Sequence, residues 1–140
     1  MYRLKVIREN IPGDSELEAN SAKTVYEKYK DEYEAYDRER LEVLHLNTLN
    51  EVMARETISI GSLSASIVCA REVFKGALLN NSAAIILMHN HPSGSPAPSS
   101  DDKKITRELQ QAAKLFDIKI LDHIIFGKAN YYSFKEENIL

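Results

Sequence analysis

Six consecutive apolar residues, Ala83-Ala84-Ile85-Ile86-Leu87-Met88, run without a charge directly into His89-Asn90-His91. A run this short and unbroken suits a central β-strand covered on both faces. It has neither the alternation of a half-exposed strand nor the length of a buried helix. Such a strand needs a layer on each side, and the flanking sequence supplies candidates. Within residues 21–37, Ala22, Val25, Tyr26, Tyr29, Tyr33 and Tyr36 recur at steps of three and four, leaving Lys and Glu to solvent. That spacing predicts an amphipathic helix whose tyrosine stripe is a packing face. Residues 69–79 have helical spacing through Val73, Ala77 and Leu78 and end at Asn80-Asn81-Ser82. Residues 101–115 do the same through Ile105, Leu109, Ala112 and Ala113.

Further strands are expected at 41–46 and 56–60, joined as a hairpin around residues 47–50. Two more, 118–121 and 123–126, are split or bent near Asp122, and a last one falls at 131–134. Alternation of charged and apolar residues over 3–7 suits a short edge strand able to support pairing. Pro and Gly mark a turn within 9–14, and loops are read at 61–64 and 92–99. Strands alternating with helices imply an α/β layered domain with a mixed sheet and helices on its faces.

With 140 residues the chain is expected to form one domain that needs no covalent staple. Its 18 basic and 21 acidic residues give a net charge of −3, without the electrostatic footprint of a dedicated DNA binder. The single cysteine, Cys69, excludes an internal disulfide and a multi-cysteine zinc site, and is read as a small buried thiol. Charges are interleaved through residues 1–8, unlike a signal peptide, and no stretch reaches the roughly 20 apolar residues of a membrane span. A cytoplasmic location with no membrane partner is the expectation.

The chemistry gathers at one end of the apolar run. In a strand, residues two apart point to one face, which would place the imidazoles of His89 and His91 side by side. Neutral imidazole is a good zinc ligand, and a carboxylate such as Asp102 can complete a three-ligand set that leaves a fourth position to water. The prolines and glycine of residues 92–99 can turn the chain so that the next helix begins over the strand end. Each piece also has a plain alternative. Ser99-x-x-Asp102 reads as a helix capping box, and histidines at strand ends often only hydrogen-bond. The combination favours a metal. His45 is read as a packed or surface imidazole. His123, after Asp122, is read as structural, with support of a metal ligand as the less favoured role. Lys103, Lys104, Arg107 and Lys114 make one helix face basic, which is read as solvated.

His89-x-His91, seven residues, Ser99, two residues and Asp102 resemble the JAMM (MPN+) metalloprotease signature. More narrowly, residues 83–106 resemble the RadC family, whose His-Asn-His-Pro-Ser-Gly signature stands intact at residues 89–94. The likeness extends over about 26–134, taking in Arg71-Glu72 and Leu121-Asp122-His123. It implies a cytidine-deaminase-like α/β fold, with 21–140 as the domain and 1–20 as an N-terminal strand and loop of the same unit. It also implies zinc held by His89, His91 and Asp102, and Ser99 donating to the water or the developing oxyanion. A glutamate upstream would move the proton. The family pattern places it within Asp37-Arg38-Glu39, making Glu39 the candidate, while the residues themselves leave Glu42 and Glu72 open.

Two departures are visible. A helix-hairpin-helix segment common upstream in the family has no room before Ser21, and Cys69-Ala70 stands where the family places His-Pro. The activity implied is zinc-dependent hydrolysis of a peptide or isopeptide amide in an unidentified protein or peptide substrate. A DNA-repair-associated enzyme or accessory factor acting on nucleic acid is the alternative, disfavoured by charge. A nucleobase deaminase is excluded because its Pro-Cys-x-x-Cys motif needs two cysteines. A scaffold that has lost its metal ranks last because the ligand set is intact.

Overall fold

The computed structural model describes residues 1–10, 16–64 and 68–140. Its elements run α1 (Ala22–Glu34), β1 (Arg40–Leu46), β2 (Val52–Ile60), α2 (Ala70–Leu79), β3 (Ala84–Asn90), α3 (Ser100–Leu115), β4 (Lys119–Phe126) and β5 (Tyr131–Ser133). The strands form one sheet in the order β2-β1-β3-β4-β5. All neighbours are antiparallel except β3 and β4, which are parallel and joined by the α3 crossover. The mixed α/β sheet read from the sequence is the one formed.

The apolar run is its centre: all seven residues of β3 are buried. Ala84, Ile86 and Met88 pack with Val25, Tyr26, Tyr29 and Tyr33 of α1. Ile85 and Leu87 face the other way, against Val73 and Phe74 of α2 and Ile105 and Leu109 of α3. Period-2 alternation along one strand thus feeds two cores. The tyrosine stripe is the inner surface of α1. Tyr33 lies against Phe126 with ring centroids 4.1 Å apart, and its hydroxyl donates to Glu42 Oε2 at 2.7 Å. Thr57 donates to the other oxygen at 3.0 Å. Burial and the Glu42 charge push the Tyr33 phenol well above its ordinary value, so it remains a donor.

Several local expectations need correction. Residues 3–7 form no strand. They carry no ladder partner, and Leu4, Val6 and Ile7 are exposed. Alternation states which face a strand would bury but not whether a sheet edge is free to receive it. What joins the N-terminal region to the domain is residues 17–19, through the Val52 amide to the Leu17 carbonyl and the Ala19 amide to the Asn50 carbonyl. The turn expected within 9–14 lies largely outside the described residues. β2 begins at Val52 rather than 56, because Arg55 lays its guanidinium over Tyr29 and pairs with Glu32 at 2.8 Å. The two strands expected at 118–121 and 123–126 are one strand, β4, with a register shift between Ile85 and Ile86 of β3. Asp122 absorbs that irregularity by accepting from the amides of His123 and Lys135 and the hydroxyl of Ser133. Cys69 is exposed rather than buried, because it occupies the surface N-cap of α2.

His45 is packed, 3 % exposed, with Nε2 3.4 Å from Glu56 Oε2 and Nδ1 3.4 Å from Asn80. Burial lowers the His45 pKa below 6.5, so the ring is mainly uncharged at neutral pH and the contact with Glu56 is not a full ion pair; burial also raises the Glu56 pKa.

Two outcomes are expected. Tyr33→Phe removes one of the two donors on a buried carboxylate and should cost about 1–3 kcal/mol in chemical denaturation. A group whose folded pKa is depressed stabilises above its unfolded pKa, and that contribution is lost as pH falls through the folded value. Stability should therefore decline on acidification below pH 6.5, and His45→Asn should flatten that slope.

Candidate metal centre

Antiparallel pairing of β1 with β3 places Leu41 opposite His89. The same register carried two residues further brings Glu39, just before β1, to the level of His91, just after β3. Asn90 secures that approach. Its side-chain oxygen accepts from the Arg40 amide at 2.7 Å, and its amide nitrogen donates to the Arg38 carbonyl at 2.9 Å. Glu39 is thus framed on both sides by one side chain. Its Oε2 accepts from the Leu63 amide at 2.9 Å, and its carbonyl from the Gly61 amide.

From the other side comes α3. A crossover helix between parallel strands starts above the carboxyl end of the first, and here it carries Asp102 into the site. The capping box is fully formed: Ser99 Oγ accepts from the Asp102 amide at 3.0 Å, and Asp102 Oδ2 accepts from the Ser99 amide at 2.7 Å. The cap and the site are the same structure. By holding Asp102 in place, it presents a 2 % exposed carboxylate to both histidines. Oδ1 stands 3.6 Å from His89 Nδ1, and Oδ2 3.2 Å from His91 Nε2.

Glu39, His89 and His91 each bring a ligating atom within 4.8 Å of the others, a grouping that could hold a metal ion. The two imidazoles meet edge to face with centroids 4.6 Å apart. His91 Nδ1 lies 2.8 Å from the Ser95 carbonyl, which can only accept. Nδ1 therefore carries a proton, and Nε2 is the ring atom turned to Asp102. His89 is fully buried, yet neither of its ring nitrogens has a hydrogen-bond partner among the described residues. Orphaned polar atoms of this kind call for an occupant.

The electrostatics agree. Burial alone would raise the Asp102 pKa, but the hydrogen bond to His91, the neighbouring His89 and the Ser99 donors hold it well below the carboxylate range. Burial pushes His89 down to about 3, reinforced by His123, so the ring is neutral at neutral pH. His91 is pulled up by its bond to Asp102, opposed by burial. A buried carboxylate beside a buried neutral imidazole is a donor set that could hold a cation.

Of the other acidic candidates, Glu42 is turned to Tyr33 and Thr57 on the α1 face, and Glu72 pairs with Lys75 on the surface. A recess of about 250 Å³ opens beside His91, lined by Tyr33, Tyr36, Asn90, Gly94 and Lys128 among others. A similar recess by Leu121 and Asp122 contains none of these site residues.

Residues 19–139 match the model of the RadC-like JAB domain. The chain belongs to that family. Its five-stranded mixed sheet with three helices is the JAB/MPN arrangement. A UPF0758 protein of Methanococcoides burtonii is 45 % identical over 140 residues, covering all of this chain and 61 % of that protein. One from Methanosarcina acetivorans is 47 % identical over 120 residues, 86 % of this chain and 52 % of the relative. One from Alkaliphilus metalliredigens is 54 % identical over 103 residues, 74 % and 44 % respectively. The matched region thus spans 44–61 % of the length of these relatives. Among its described helices, none is long and apolar enough to cross a membrane.

Within this RadC-like site, sequence reasoning passed over Asn90. The available signal was an amide at a strand position with no exposed face, where a polar side chain needs dedicated partners. Asn90→Ala should cost about 1–3 kcal/mol of stability. It should also accelerate hydrogen exchange at the Arg40 amide more than at β3 amides, because it releases the segment that carries Glu39.

Proposed function

We propose that this RadC-like domain is a zinc-dependent hydrolase that cleaves a peptide or isopeptide amide in a protein substrate. The observation that carries the reading is His89: a buried, neutral imidazole with no partner at either nitrogen, set between His91 and the Asp102 carboxylate. His89, His91 and Asp102 would hold the ion, two nitrogens and one oxygen, a donor set suited to zinc with one position open. Bound zinc would supply a Lewis acid and make a water acidic enough to lose its proton near neutral pH.

The chain's own groups do the rest. Glu39 is half-buried at the cleft with Oε2 accepting from the Leu63 amide, and one oxygen of its carboxylate would take the proton from water. The same oxygen then returns it to the departing amine nitrogen. Ser99 accepts from the Asp102 amide through a lone pair, which leaves its hydroxyl proton for the oxygen of the tetrahedral intermediate. The recess beside His91, with Tyr36 on one wall and Lys128 at its rim, can seat substrate next to the scissile bond.

Their surroundings support assigning proton transfer to Glu39 and the ion to Asp102. Asp102 is sealed among the imidazoles, whereas Glu39 is half-exposed and reachable by water. The test is Glu39→Gln against a panel of peptide- and isopeptide-linked fluorogenic substrates, with bound metal measured in parallel. Turnover should fall about 10²–10⁴-fold while zinc content is unchanged. Full activity in the variant would refute the role of Glu39. A zinc-loaded wild type that cleaves no amide in the panel would refute the reaction.

A further inference from the structure

His123 sits on β4, fully buried, stacked on Phe134 with ring centroids 4.6 Å apart and planes at 16°. Its ring centroid is 5.7 Å from that of His89. Its Nδ1 is 2.7 Å from Thr106 Oγ1, and Thr106 Oγ1 is 2.7 Å from the Asp102 carbonyl. That carbonyl can only accept, so the single hydroxyl proton of Thr106 goes to it. Thr106 then has only a lone pair to offer His123, and Nδ1 must be the donor. A second proton, on Nε2, would be buried with no acceptor among the described residues, so the ring is neutral. A neutral ring protonated on Nδ1 has an unprotonated Nε2, and this atom is buried without a partner.

Three orphan ring nitrogens therefore lie in two adjacent buried imidazoles: both of His89 and Nε2 of His123. An ion held at the site would take one lone pair of His89. The remaining His89 nitrogen then carries a proton and needs an acceptor, while His123 Nε2 needs a donor. We infer that His123 is a positioning residue of the metal centre, its Nε2 accepting the N–H of His89 that faces away from the ion. The inference rests on the metal reading of the site. It closes a chain from His89 through His123 and Thr106 to the backbone of Asp102, so two ligands on different elements are oriented by one hydrogen-bond path. The tautomer of His89 is set at its far end by the helical carbonyl of Asp102.

Two measurements test this on the full chain. In zinc-loaded wild type with ¹⁵N-labelled histidine, His123 should be the Nδ1-protonated tautomer with Nε2 shifted as an acceptor. His89 should show a slowly exchanging ring N–H. By chelator competition, His123→Phe should weaken zinc affinity about 10–100-fold, and His123→Gln, whose amide oxygen replaces Nε2, should recover most of it. An unchanged affinity in a folded His123→Phe protein overturns the inference and leaves the metal site standing. So does an Nε2-protonated His123, or a metal-type shift at its Nε2, and both are read on wild type whether or not the variants fold. A wild type that takes up no zinc overturns the metal reading and this inference together.

Discussion

A strand buried on both faces and paired on both edges cannot end in polar residues unless something meets them. β3 is that strand, and its last residues, His89 and Asn90, are 0 % and 3 % exposed. Asn90 meets the backbone on either side of Glu39. Neither ring nitrogen of His89 makes a hydrogen bond among the described residues. The strand is apolar where the cores need it and polar where the two cores give way to a cleft. β1 and α3 converge there because one is antiparallel to β3 and the other begins the crossover to a parallel neighbour. The topology thus delivers a glutamate, two histidines and an aspartate from three parts of the chain to one point.

Asp102 shows how local structure and site chemistry share an atom. One carboxylate oxygen satisfies the N-cap amide, and the Ser99 hydroxyl satisfies the Asp102 amide. The carboxylate is thereby held at the helix N-terminus, where the dipole favours negative charge. A carboxylate this buried is costly without positive charge nearby, yet burial keeps its neighbour His89 neutral. A bound cation would resolve both tensions. The capping box and the proposed ligand role are not competing explanations of Ser99-x-x-Asp102, because the first would make the second rigid.

Much of this was legible beforehand, and the reasons differ by residue. The unbroken run at 83–88 announced the central strand because no other element has that length without charge. The tyrosine stripe announced the inner face of α1 through its period. Spacing drew attention to His89, His91 and Asp102, whereas Glu39 could not be told from Glu42 without a register. Glu42 is three residues further along, paired to a tyrosine from another element, which no local pattern reveals. The N-terminal strand failed because pairing needs a free edge as well as a pattern. Cys69 failed because a small apolar residue can equally sit at a helix start. Asn90 and Thr106 were invisible as site residues, since their significance lies in hydrogen bonds across 50–52 residues and across 17 residues respectively.

The central claim is that the unsatisfied imidazole of His89 and its neighbours exist to hold a metal ion. It is tested most directly by elemental mass spectrometry on protein purified without chelator or affinity metal, beside a His89→Ala, His91→Ala double variant. The account predicts about one zinc per chain, lost in the folded double variant. A wild-type chain that carries no metal, and takes up none when zinc is added, would contradict it.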